Sequence, residues 1–188
     1  MPRLTQVAPE QANPLQAELF SAVKSKLGRV PNLFTTLANS PAALRGYLDF
    51  SAALSAGAGL TAQQREIVSL VTAEENGCDY CLAAHSTVGK IVGLKPDAIE
   101  AARRGDGIDD ANRAVARFAK SVIESRGRVA DADLEEFRSA GFGNDAVAEI
   151  VANVAINVFT NYFNNLAETD VDFPAAKPLE AVLSPARG

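Results

Sequence analysis

The sequence predicts an all-α fold: a single-domain, multi-helix bundle spanning residues 1–188, with an extended, proline-containing C-terminal tail over 169–188. Three observations carry this. Apolar residues recur at helical spacing, with no alternating strand pattern anywhere. Cap and break residues divide the chain into pieces of helical length. With 188 residues, 47% of them hydrophobic, the chain suits one sizeable core.

Asn13-Pro14 opens a first helix running to about Leu27, since proline at the first helical position gives up an amide that has no partner there anyway. Gly28-Arg29-Val30-Pro31 breaks it. Ser40-Pro41 starts another, which ends near Gly57. Thr61-Ala62-Gln63-Gln64 is a capping-box pattern leading into Ile67, Val68, Leu70 and Val71, and that helix stops at Asn76-Gly77. A helix carrying the cysteines follows to Gly93, and Lys95-Pro96-Asp97 begins a short one. Longer helices run from about Asp109 to Arg126, Asp131 to Ala140 and Asn144 to Leu166. Beyond Thr169, Pro174, Pro178 and Pro185 point to an extended segment able to wrap a neighbour.

A net charge of −5 argues against a nucleic-acid partner or an anionic membrane surface, because both need clustered Lys and Arg to neutralise phosphate. The N-terminal residues lack a secretory apolar region, and no run reaches the ~18 apolar residues of a spanning helix, so a cytoplasmic location is expected. Two cysteines cannot staple a secreted framework. In a reducing compartment a C-x-x-C pair points instead to redox or metal chemistry.

The two cysteines and the single histidine all fall within Cys78-Asp79-Tyr80-Cys81-Leu82-Ala83-Ala84-His85. On a helix, positions three and four apart share a face, so Cys78, Cys81 and His85 can cooperate. A free thiol near pKa ~8.5 is mostly protonated at neutral pH, and His85 can accept the proton of Cys81 or stabilise its anion. A helix beginning after Asn76-Gly77 also sets its positive dipole end beside the thiols, which favours Cys78. A bridge between the two is feasible with modest distortion of the first turn. So short a loop stabilises little, roughly 2 kcal/mol, so chemistry is the better reason for the pair.

Other readings stay open at this level. The cysteines could be small buried hydrophobes. Structural zinc needs four ligands, and the chain has only two thiolates and one imidazole unless a carboxylate or second subunit helps; no metal is expected. Covalent haem requires C-x-x-C-H, and Leu82 follows the second cysteine here. Glu74 and Glu75, one turn before the pair, read as solvated. Glu66 lies twelve residues before Cys78, about 18 Å along a continuous helix, so it reaches His85 only if the break at Asn76-Gly77 folds its helix back. Asn153, Asn157, Asn161 and Asn165 recur through an apolar helix and must face something polar: a subunit interface, cross-helix hydrogen bonds or the redox pocket.

Arg29-Val30-Pro31-Asn32-Leu33-Phe34, Leu60-Thr61-Ala62-Gln63-Gln64-Arg65-Glu66-Ile67 and Asn76-Gly77-Cys78-Asp79-Tyr80-Cys81 through His85 together resemble the carboxymuconolactone decarboxylase superfamily, in its alkylhydroperoxidase D-like, peroxidase-related branch. The likeness extends to Asn161-Tyr162-Phe163-Asn164-Asn165 and Val171-Asp172-Phe173-Pro174. The resemblance implies an all-helical homo-oligomer with its redox core at about 40–95. It implies Glu66 as relay carboxylate, His85 as base, Cys81 as peroxide-attacking thiolate and Cys78 as resolving thiol. No cofactor is implied; the partners are a hydroperoxide and an external dithiol, such as a lipoyl carrier protein. Tyr80 stands where the best-studied pattern has a second relay histidine, and is at most accessory, its phenol near pKa ~10 being a poor proton acceptor. The function implied is a thiol-dependent peroxidase. The alternatives are a thiol-disulfide oxidoreductase and a non-enzymatic redox-sensing or metal-binding module.

Overall fold

Local capping sets most of the helix starts. In the computed structural model, which describes residues 2–179, Asn13 opens α1 (Pro14–Leu27) with a reciprocal capping box to Gln16, and Gly28 closes it in the left-handed region. Ser40 caps α3 (Pro41–Ser55) and Asp109 caps α7 (Asp110–Glu124). Thr61 and Gln64 form the expected capping box of α4 (Ala62–Glu75). The remaining helices are α2 (Asn32–Leu37), α5 (Asp79–Ile91), α6 (Pro96–Arg103), α8 (Asp131–Ser139) and α9 (Asn144–Ala167), and no strand occurs among the described residues.

Two pieces differ from the sequence reading. A 3-10 turn at Pro9–Gln11 and the six-residue α2 were not expected. Helix α2 has no side-chain cap of its own. Its first amides are satisfied from afar, Asn32 N–H by the Asp172 carboxylate at 3.1 Å and Leu33 N–H by the Tyr80 hydroxyl at 3.1 Å.

Helix α4 is the hub, touching α5, α6, α7 and α9. Its Ile67, Val68, Leu70 and Val71 enter one apolar core with Ile99, Val115, Phe118, Phe137 and Ile150. There Phe137 is stacked between Phe118 and Phe142, at centroid distances of 4.4 and 4.5 Å. A second core joins Leu19, Phe20 and Val23 of α1 to Leu33, Phe34 and Leu37 of α2, and it takes in Cys78, Tyr80 and Cys81. The loop entering α4 is tied to α9 by Glu149, whose carboxylate accepts from Gly59 N at 3.0 Å and Leu60 N at 3.1 Å. Gly59 is required here by close approach, since a Cβ on it would lie 2.9 Å from Ala146 N.

Helix α9 has the length and mean hydropathy (1.3) of a membrane span. No uninterrupted apolar run exists in it, because buried asparagines break the pattern and face the protein interior. The described part of the tail makes contacts with its own chain: Asp172 pairs with Arg29, and Lys177 O accepts from Arg103 at 2.6 Å. Pro185 falls outside the described residues.

Candidate active site

Helix α4 ends at Asn76, and Gly77 turns the chain with φ 58°, a left-handed conformation that costs a residue bearing a Cβ roughly 1–2 kcal/mol. This corner folds α5 back against α4. Cys78 is the N-cap of α5, and its sulfur accepts from Cys81 N–H at 3.2 Å. The sulfurs of Cys78 and Cys81 are bonded, with Cα atoms 5.3 Å apart. Both are buried, Cys78 at 0% exposure and Cys81 at 3%, in the second core.

One turn after Cys81, His85 Nδ1 meets Glu66 Oε2 at 2.8 Å. The corner at Asn76-Gly77 therefore brings together two residues that a continuous helix would hold well apart. With Glu66 ionised, the shared proton sits on Nδ1 and leaves Nε2 as the basic nitrogen, on the helix that carries both cysteines. In the bonded state His85 makes no hydrogen bond to either sulfur. Glu66 and His85 line a cavity of about 130 Å³ with Tyr47, Ser51, Arg65 and Asn157. Burial, then the Glu66 charge, push the Tyr47 phenol up to about 12, so it stays a neutral group in this cavity.

The asparagines of α9 divide their work. Asn153 donates to Glu149 O at 2.8 Å, and Asn157 donates to Ser69 Oγ at 3.1 Å. Asn161 Oδ1 accepts from Asn76 Nδ2 at 3.0 Å, and exposed Asn165 donates to Asn76 O at 3.0 Å. These are hydrogen bonds within α9 and across to α4 and its corner. The residue that reaches a sulfur is Asn164, whose Nδ2 lies 3.3 Å from Cys81 Sγ. A strict four-residue stripe passes over it. At 3.6 residues per turn each step of four overshoots by about 40°, so the buried face drifts from Asn161 to Asn164 and leaves Asn165 outside. That drift was the signal available in the sequence.

Tyr80 bonds to neither Glu66 nor His85. Its hydroxyl donates to Asp172 Oδ1 at 2.9 Å and accepts from Leu33 N–H, while its ring meets Phe173 edge-on at 5.8 Å. Arg29 holds Asp172 at 2.6 Å and covers the Phe173 ring at 4.5 Å. Burial pushes the Tyr80 phenol strongly upward, which keeps it a donor. The motifs Arg29–Phe34 and Val171–Pro174 thus form a latch beside the cysteines. Glu74 and Glu75 are ion-paired with Arg103 and Lys120, each at 2.7 Å. Among the described residues, no group of three or more His, Cys, Asp and Glu is arranged to hold a metal ion.

The carboxymuconolactone decarboxylase family model matches residues 41–124, which include Glu66, Cys78, Cys81 and His85. Comparison with curated proteins gives no match. Among solved structures, an uncharacterized peroxidase-related protein from Ralstonia eutropha JMP134, described as an alkylhydroperoxidase AhpD core, is 27% identical with a TM-score of 0.83, covering 91% of this chain and 92% of that one. A peroxidase-related protein from Silicibacter sp. TM1040 is 24% identical (TM-score 0.76; 89% and 92% covered). The debrominase Bmp8 shares the fold at 20% identity (TM-score 0.77; 90% and 92% covered). The family model over the cysteine-bearing helices and the full-length likeness to the Ralstonia protein point the same way: residues 41–124 match the carboxymuconolactone decarboxylase family, and the chain as a whole is similar to that alkylhydroperoxidase AhpD core.

Proposed function

We propose that the protein is a thiol-dependent peroxidase that reduces hydroperoxides through a Cys78/Cys81 dithiol-disulfide cycle with a Glu66–His85 proton relay. The observation that carries this is the bonded cysteine pair at the start of α5, with the 2.8 Å Glu66–His85 contact one turn further on. His85 takes the Cys81 proton, and the thiolate attacks the terminal oxygen of the peroxide. The O–O bond breaks, Cys81 becomes a sulfenic acid, and the departing alkoxide takes the proton back from His85. Cys78 then attacks the Cys81 sulfur, and its proton leaves with hydroxide as water. An external dithiol, on a carrier such as a lipoyl protein, supplies two electrons and two protons to reopen the bridge. The reading takes the working form to be a homo-oligomer in the cytoplasm. No metal or cofactor enters these steps.

The test is peroxide-dependent oxidation of a dithiol by wild type and Cys81→Ser. Loss of turnover in the variant supports the reading; an unchanged rate sinks it. Because the debrominase Bmp8 has the same fold, fold alone does not choose the substrate. Comparing the rates at which hydroperoxide and a protein disulfide oxidise the reduced pair separates the peroxidase from a thiol-disulfide oxidoreductase. Stoichiometric zinc in protein purified without chelator would favour the metal-binding module.

A further inference from the structure

We infer that the side-chain amide of Asn164 is the hydrogen-bond donor that holds Cys81 as a thiolate, a catalytic role that rests on the redox reading above and names the group that stabilises its reduced state. Asn164 is 3% exposed, on a helix remote in sequence from the cysteines, and its Nδ2 lies 3.3 Å from Cys81 Sγ. Its Oδ1 is buried with no hydrogen-bond partner. Asn161 also leaves one end, Nδ2, without a partner, so what sets Asn164 apart is its contact with the sulfur. Reversing it would set a carbonyl oxygen against sulfur lone pairs and lose the only side-chain hydrogen bond it makes. The amide is thus oriented by the sulfur.

Its neighbours keep it there. Asn161 and Asn165, on the adjoining positions of α9, both bond to Asn76 at the corner before Cys78, so α9 is pinned where Asn164 meets the sulfur. Each sulfur consequently has one N–H donor: Cys78 has the backbone amide of Cys81, and Cys81 has Asn164. The titratable and charged groups on the elements packed there are Tyr47 on α3, Glu66 on α4, Asp79 and His85 on α5, and Tyr80 with Asp172 and Arg29 on the latch side. None of them hydrogen-bonds to Cys81 Sγ. Helices α1 and α2 bring Leu19, Phe20, Val23, Leu33, Phe34 and Leu37 to that core, and the buried hydroxyls of Thr35 and Thr36 on α2 donate to Asn32 O.

A sulfur in a bridge is a weak acceptor and a thiolate a strong one, so a donor already in place strengthens its bond as charge develops. When the external dithiol's thiolate attacks Cys78 Sγ, the bridge breaks and its electron pair leaves on Cys81, toward the Asn164 N–H. The dithiol's second sulfur then displaces Cys78, which takes one proton. The other proton passes to His85, which keeps it for the alkoxide of the next turnover, and the dithiol departs as a disulfide.

The experiment uses the full chain with Cys78→Ser, so that Cys81 is the single thiol, and follows the pH dependence of alkylation by iodoacetamide with Asn164, Asn164→Ala and Asn164→Leu. The expected result is a midpoint about one pH unit higher in both variants, with alkylation near pH 7 slower by up to about tenfold. With Cys78 restored, the equilibrium with dihydrolipoamide is expected to move about tenfold toward the bridge, near 30 mV for this two-electron couple. Folded variants with an unmoved midpoint and an unmoved equilibrium overturn the assignment. If neither variant folds, the Asn164 side-chain amide protons in reduced wild type decide it by NMR. They must shift as Cys81 ionises, and insensitivity to that titration overturns it. A wild type that never reacts with hydroperoxide while Asn164 still shifts the midpoint sinks the peroxidase reading and leaves this assignment standing.

Discussion

Glu66 Oε2 lies 2.8 Å from His85 Nδ1 across the α4–α5 corner, although nineteen positions separate the two residues. An ionised carboxylate there holds the ring proton on Nδ1, and in the proposed mechanism Nε2 is then the base. Glu66→Gln keeps the shape but lets the amide donate to Nδ1 as readily as accept from it. Peroxide-dependent turnover is expected to fall by about ten- to a hundredfold, with little change in melting temperature. A turnover within twofold of wild type would count against the relay.

Alkaline pH should expose the buried phenols. The Tyr47 phenol is pushed up to about 12, by burial first and by Glu66 second, and Tyr80 is pushed in the same direction. A free tyrosine titrates near pKa ~10. Above that value the unfolded chain gives up these protons while the folded chain keeps them. The stabilisation is therefore complete below pH ~10 and is lost as the pH rises through about 12. The denaturant midpoint of wild type is expected to fall over this window, and Tyr47→Phe should make the fall shallower. Equal slopes in the two proteins would contradict the assignment.

The latch makes a separate prediction. Asp172 accepts from Arg29, from Asn32 N–H and from the buried Tyr80 hydroxyl. Asp172→Ala leaves the last two without an acceptor and is expected to cost about 1–3 kcal/mol in urea unfolding. Alkylation of the reduced cysteines should become faster, because Phe173 and Ala176 lie against the core that buries them. Tyr80→Phe should lose comparable stability while keeping most of the turnover, since its hydroxyl bonds to Leu33 and Asp172 and not to the relay. A collapse of turnover in a stable Tyr80→Phe would return the phenol to the proton path.

Glu149 supports the entry to α4 in a way that can be measured. Its two carboxylate oxygens each accept a backbone N–H, from Gly59 and Leu60. Glu149→Ala is expected to destabilise the protein by about 1–3 kcal/mol in chemical unfolding. Glu149→Gln should recover part of that loss, because one of its two acceptors survives. A neutral Glu149→Ala would show that water replaces the carboxylate without penalty.

The sequence by itself determined the helical class, the starts of α1, α3, α4 and α7, and the spacing that puts Cys78, Cys81 and His85 on one helix. All of these depend on residues no more than about four positions apart, where capping and the 3.6-residue turn act directly. Only the tertiary structure decided that Glu66 reaches His85, that Asn164 rather than Asn165 turns inward to Cys81, and that Tyr80 belongs to a latch. Helix α2 shows the reason most plainly. Its leading amides are capped by Tyr80 and Asp172, 47 and 140 positions away, so no local signal marks its start. Hydrogen bonds of that kind follow from the path of the whole chain through its core, which periodicity and local caps do not encode.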